Sequence, residues 1–129
     1  MPSPTVVIAQ CDPGTILGLT HDLNAHFARV SVAHNPVELR ELLQNREARV
    51  AVLDLEMVNI DEVKKLSQCF GDLSIICTHR SPDEQMWMSA LNAGAVEFCH
   101  PHDLRSILHA SRMTPSHTAM QQDDMALAA

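Results

Sequence analysis

Aromatic residues are scarce in this chain: Phe27, Phe70, Phe98 and Trp87 are the whole set, and tyrosine is absent. A core must therefore be built from aliphatic side chains, methionine and alanine, and a hydrophobic content of 46% suffices for one. Basic blocks are missing too. Net charge is −7 with the nine lysines and arginines dispersed, which excludes a phosphate-neutralising face and, with it, direct nucleic-acid binding. No apolar run approaches the ~20 residues that span a bilayer. The N-terminus lacks the charged start and cleavage site of a signal peptide, so a cytoplasmic location without a membrane partner is expected. Cys11, Cys69, Cys77 and Cys99 show no C-x-x-C spacing and are expected to be reduced thiols. A Gly-rich phosphate loop is lacking as well, because Gly14 and Gly18 fall inside the first helical pattern. That argues against a small enzyme or a flavin-type binder.

What is present is a regular alternation. Five short apolar runs (Thr5 to Ala9, Val30 to Ala33, Val50 to Leu53, Leu73 to Cys77, Val96 to Cys99) read as strands buried on both faces. Helical patterns separate them. The first two open on an N-cap followed by proline, Asp12-Pro13 and Asn35-Pro36. The first carries Ile16, Leu17, Leu19, Leu23 and Phe27; the second carries Val37, Leu39, Leu42 and Leu43. The third, within Ile60 to Phe70, turns Val63 and Leu66 inward. The fourth opens on the capping box Ser81-Pro82-Asp83-Glu84 and places Trp87, Ala90 and Leu91 on the core side, ending at Gly94. The fifth runs from about Asp103 to Arg112 with Leu104, Ile107 and Leu108 inward.

Strands alternating with helices mean βαβ units and a parallel sheet covered on both sides. The expected fold is a flavodoxin-like (βα)5 doubly wound parallel sheet of order 2-1-3-4-5, a three-layer α/β/α sandwich. The domain is expected over residues 1–112, with a flexible tail over 113–129 in which Met125 to Ala129 forms at most a weak docking helix.

In such a sheet the functional groups gather at the C-terminal ends of the strands. Asp54 closes the third strand there, in company with Gln10, Cys11 and Asp12 from the first, Glu56 from the third, Thr78 and His79 from the fourth, and His100-Pro101 from the fifth. A carboxylate so placed suggests a nucleophile or a metal ligand.

The segments Val52-Leu53-Asp54-Leu55-Glu56-Met57, Ile75-Ile76-Cys77-Thr78 and Ala90 to Phe98 followed by His100-Pro101 resemble, in order and spacing, the receiver domain of two-component response regulators. The resemblance covers about residues 5–112. It implies that Asp54 is the phosphoacceptor, that Thr78 is the switch hydroxyl and Phe98 the switch aromatic, and that His100 stands where a lysine pairs with the phosphoryl group. It implies a histidine kinase or another signalling protein as partner, homodimerisation through the fourth helix, fifth strand and fifth helix, and no enzyme activity. The family's charges are largely replaced. Gln10 and Cys11 stand for its acidic pair, leaving Asp12, Asp54 and Glu56 as a weak magnesium set. His79 stands for a small residue, Val58 for proline and Glu62 for glycine. The segment between Phe98 and Pro101 is one residue short, and the His100-Pro101 bond is expected to be cis like the family's Lys-Pro.

Three readings stay open on the sequence. The chain is a stand-alone degenerate receiver acting by protein contact, since nothing after residue 112 accommodates an effector domain; or an orthodox phosphoacceptor; or a Cys/His metal or redox sensor using Cys11, Cys77 and Cys99 with His79, His100 and His102.

Overall fold

The computed structural model describes residues 5–45 and 48–113. Ten elements alternate: β1 (Thr5–Ala9), α1 (Pro13–Leu23), β2 (Arg29–Ala33), α2 (Pro36–Asn45), β3 (Ala48–Asp54), α3 (Ile60–Cys69), β4 (Ser74–Thr78), α4 (Glu84–Asn92), β5 (Glu97–Cys99) and α5 (Leu104–Ala110). All strand pairs are parallel and the order is β2-β1-β3-β4-β5, as expected from the alternation. The expected tail lies, apart from Met113, outside the described residues, and so does its docking helix.

Successive residues of a strand face opposite sides, and the valine-rich runs fill two cores at once. Val7, Ala9, Ala51, Leu53, Ile75 and Cys77 pack against α2, α3 and α4. Their neighbours Val6, Ile8, Val50, Val52 and Ile76 pack against Leu19 and Leu23 of α1 and Ile107 and Ala110 of α5. The caps at Asp12 and Asn35 behave as the sequence implies, and Asn59, which the sequence reading did not name, caps α3 in the same way. Asp12, Asn35 and Asn59 each accept the N–H three residues on, satisfying donors that the first turn leaves unpaired.

Several expectations need correction. In α4 the cap is Asp83, whose carboxylate accepts the Met86 N–H at 2.8 Å, and not Ser81. The inward stripe is Met86, Ala90 and Ala93, at spacings of four and three, so Trp87 is carried one position round the helix and stands 43% exposed. Leu17 and Val37 are 74% and 61% exposed, because Thr15, Leu19 and Leu23 form the inner face of α1 and Leu39 and Leu43 that of α2. Phe27 is buried, but after α1 has ended. No cis peptide bond occurs among the described residues. The Asp103 N–H closes a turn onto the His100 carbonyl at 2.9 Å, and proline in the second position of such a turn fits with its bond trans.

The end of α4 contains the one positive-φ residue described, Gly94 at φ 114°. Its N–H bonds the Leu91 carbonyl, and the Ala95 N–H bonds the Ala90 carbonyl, the paired closure of a Schellman turn. A Cβ here would lie 2.6 Å from Ser67 Cβ and still nearer its hydroxyl. Gly94→Ala is expected to destabilise the fold by about 2–4 kcal/mol, combining backbone strain with overpacking. The urea midpoint should fall accordingly; an unchanged midpoint would show that α3 gives way without cost.

Candidate functional site at the carboxyl edge of the sheet

Strand alternation decides which side chains meet at the edge. Val6 and Ile8, Val50 and Val52, and Ile76 all face the α1/α5 side. One further step of two residues puts Gln10, Asp54 and Thr78 on that same side, past the apolar runs. The parallel register sets Asp54 level with Thr78, and Thr78 level with Cys99.

Asp54 is only 6% exposed. Its Oδ2 accepts the Cys11 N–H at 3.1 Å and its Oδ1 accepts the Glu56 N–H at 2.9 Å. Its carbonyl accepts the N–H groups of Met57 and Val58, so the chain coils round it. Beside it, buried Gln10 donates from Nε2 to Thr78 Oγ1 at 3.0 Å. The amide therefore faces the hydroxyl, and neither group carries charge.

Of the expected metal set, Asp54 and Glu56 come together, but Asp12 does not join them. Its Oδ2 accepts both the N–H and the hydroxyl of Thr15, at 2.9 and 3.0 Å. Those bonds hold its carboxyl below the ordinary range. The third donor is instead Cys11 Sγ, which with carboxylate oxygens of Asp54 and Glu56 forms a group whose ligand atoms all lie within 4.8 Å of one another. Partial burial, then the charge of Asp54, push the Cys11 thiol up. Magnesium prefers oxygen ligands in octahedral array. A neutral amide turned toward Thr78, a thiol and a carboxylate engaged as a helix cap do not fit it.

Two loops contribute the cationic side of the pocket. Arg80, after β4, grips Glu56, after β3, with Nη2 to Oε1 at 3.0 Å and Nε to Oε2 at 3.2 Å. His79 Nε2 lies 3.5 Å from the same Oε2. A pocket of about 190 Å³ results, lined by Gln10, Cys11, Asp54, Glu56, Arg80 and Pro101 among others. His79 Nδ1 accepts the Ser81 N–H at 2.9 Å, and His100 Nδ1 accepts the His102 N–H at 3.0 Å. Each Nδ1 therefore acts as a hydrogen-bond acceptor from the backbone in this arrangement. His100 meets the ring of His102 at 5.2 Å between centroids, and Pro101, not His100, lines the pocket. Phe98, one step out of phase with Cys99, is buried on the α2–α4 side.

The Cys/His grouping is not formed. Cys77 and Cys99 are buried within the two cores, and burial pushes both thiols up to about 12. Among the described residues, Cys11, Asp54 and Glu56 are the one metal-compatible group. Sequence reasoning missed the Arg80–Glu56 clasp. The register explains it: each residue stands two positions beyond a member of the level pair Asp54 and Thr78, so opposite charges there fall across one gap.

No protein-family model and no curated protein matches the chain. Solved structures do. The receiver domain of a two-component response regulator from Bacteroides fragilis superposes with a TM-score of 0.75 at 21% identity, covering 86% of this chain and 98% of that one. The receiver domain of an HD domain-containing protein from Pseudomonas fluorescens Pf-5 gives 0.76 at 17% identity, covering 91% and 98%. The response regulator RcsB of Salmonella typhimurium gives 0.74 at 23%, covering 85% of this chain, which spans 60% of the RcsB chain. The chain has the fold of response-regulator receiver domains.

The buried thiols yield a pH dependence of known sign. Cys77 and Cys99 keep their protons in the fold up to about pH 12, whereas an ordinary thiol loses its proton near 9.0. Between those values unfolding releases protons, so this contribution is complete below pH 9 and is lost as pH rises toward 12. Denaturant midpoints measured across pH 8 to 11 should fall less steeply for Cys77→Ala than for wild type. Parallel curves would contradict the assignment.

Proposed function

We propose that this chain is a degenerate member of the receiver family, a signalling module that passes information by protein–protein contact, with phosphorylation of Asp54 weak or lost. The observation that carries the proposal is the lack, among the described residues, of a cationic side chain paired with Asp54. The carboxylate is buried and level with Thr78, which supports the reading of Asp54 as the acceptor position, yet the groups expected to offset a phosphoryl charge are an amide, a thiol, an N-cap and an imidazole whose Nδ1 accepts a backbone hydrogen bond. Each charge-stabilising donor removed from a transition state costs roughly 3 kcal/mol, so losing several leaves a slow reaction.

The partner is a histidine kinase or another signalling protein, and a second copy of the chain is accommodated through α4, β5 and α5, where Trp87 and Met88 are exposed. One observation favours the orthodox alternative: Arg80 lines the pocket, and release from Glu56 would give a phosphoryl group one cation. The activity is signalling rather than catalytic on either reading.

Incubation with acetyl phosphate and magnesium, followed by intact mass measurement, is expected to leave wild type almost free of the adduct of about 80 Da. Combining Gln10→Asp, Cys11→Asp and His100→Lys should restore an adduct that Asp54→Asn then removes. Near-complete modification of wild type at Asp54 would overturn the degenerate reading in favour of the orthodox one.

A further inference from the structure

We infer that Cys11, Asp54 and Glu56 form a binding site for a single thiophilic divalent cation such as Zn²⁺, in preference to Mg²⁺. The donor set is mixed, one sulfur and two carboxylates drawn from the loops after β1 and β3, with all three ligand atoms within 4.8 Å of one another. Bonds of ~2.0–2.3 Å at tetrahedral angles set the donors of one zinc ion roughly 3.3–3.8 Å apart, so side-chain rotations that draw the ligand atoms about 1 Å closer close the set.

The scaffold is organised around one atom group. The backbone N–H of Cys11 and that of Glu56 both donate to the carboxylate of Asp54, which fixes the stems of the other two donors relative to it. A second, independent observation is the charge of Asp54 itself. It is 94% removed from solvent, its relative exposure being 6%, and its oxygens accept the backbone N–H groups of Cys11 and Glu56 and face the Cys11 thiol. A buried carboxylate is ordinarily paired with a cation or bound to a metal. Among the described residues no cationic side chain pairs with it, because Arg80 directs Nε and Nη2 to Glu56. Asp54, Glu56 and Asp12 against Arg80 leave the pocket negative, which attracts cations and repels free phosphate.

The sulfur sets the selectivity. Thiolate is a good ligand for zinc and a poor one for magnesium. Three protein donors leave the fourth position of a tetrahedral zinc open to solvent. Arg80 and His79 compete with the ion for Glu56, so the clasp exchanges for the metal when it binds. This site does not depend on the signalling reading, since purified protein and metal ions alone test it and no phosphodonor enters.

The probe is Co²⁺, whose bond to a thiolate gives an intense near-ultraviolet charge-transfer absorption, followed by competition with Zn²⁺ and Mg²⁺. The full chain, purified without a histidine tag, should show the band at one equivalent of cobalt. Zn²⁺ should abolish it, and a large excess of Mg²⁺ should leave it intact. Cys11→Ser should lose the band, and Glu56→Gln should weaken binding at least about tenfold. Cys69→Ser, an exposed thiol on α3, and Arg80→Ala should both bind at least as tightly as wild type. Cys11 and Glu56 are exposed, so the variants should fold, and circular dichroism is the check that each one does. No band in wild type, a band that survives Cys11→Ser, displacement by Mg²⁺ as readily as by Zn²⁺, or weaker binding in Arg80→Ala would each overturn the site.

Discussion

The hydrogen bonds from two backbone N–H groups to the Asp54 carboxylate hold the functional edge together. They tie the loop after β1 to the loop after β3, and they stabilise a charge that the surrounding apolar core disfavours. The rest follows from geometry. The parallel register brings Thr78 level with that carboxylate, the alternation of the strands turns Gln10 to meet Thr78, and the two +2 positions close over it as the Glu56–Arg80 pair.

The electrostatics of the edge differ from what an acyl phosphate needs. A phosphoryl group adds nearly two negative charges beside a carboxylate. Around Asp54 the fold supplies one arginine, already paired, and imidazoles whose Nδ1 atoms accept backbone hydrogen bonds. The Gln10–Thr78 bond is the neutral counterpart of a charged contact: it keeps both buried polar groups satisfied without a cation. On the proposed reading, the residues that stand in place of charged groups also introduce a sulfur, and so change which cations the edge suits.

Much of the fold was legible in the sequence, because a valine-rich run between helical patterns has few other ways to bury both faces. Caps at Asp12 and Asn35 carried the first two helix starts. The helix faces were less legible. In α4 the inner stripe consists of Met86 and two alanines, and a tryptophan one position away carries the larger hydrophobic signal while standing half in water. The site was legible as a list of strand ends but not as a set of contacts. Asp12 read equally as ligand and cap, and the cap won because Thr15 offers both an N–H and a hydroxyl. Cys77 and Cys99 read as edge thiols, but alternation buries each in a core. The Arg80–Glu56 pair depends on register between strands, which a single sequence does not display.

The central claim is that the pocket at Asp54 offers magnesium too few free hard-oxygen ligands: a thiol and an amide stand beside Asp54, Glu56 is held by Arg80, and Asp12 is engaged as a cap. The most direct measurement is a magnesium titration followed through the backbone amide resonances of Cys11 and Glu56, whose N–H groups touch the Asp54 carboxylate. The account expects both resonances to stay in place up to millimolar magnesium. Saturable movement of the two together would contradict it.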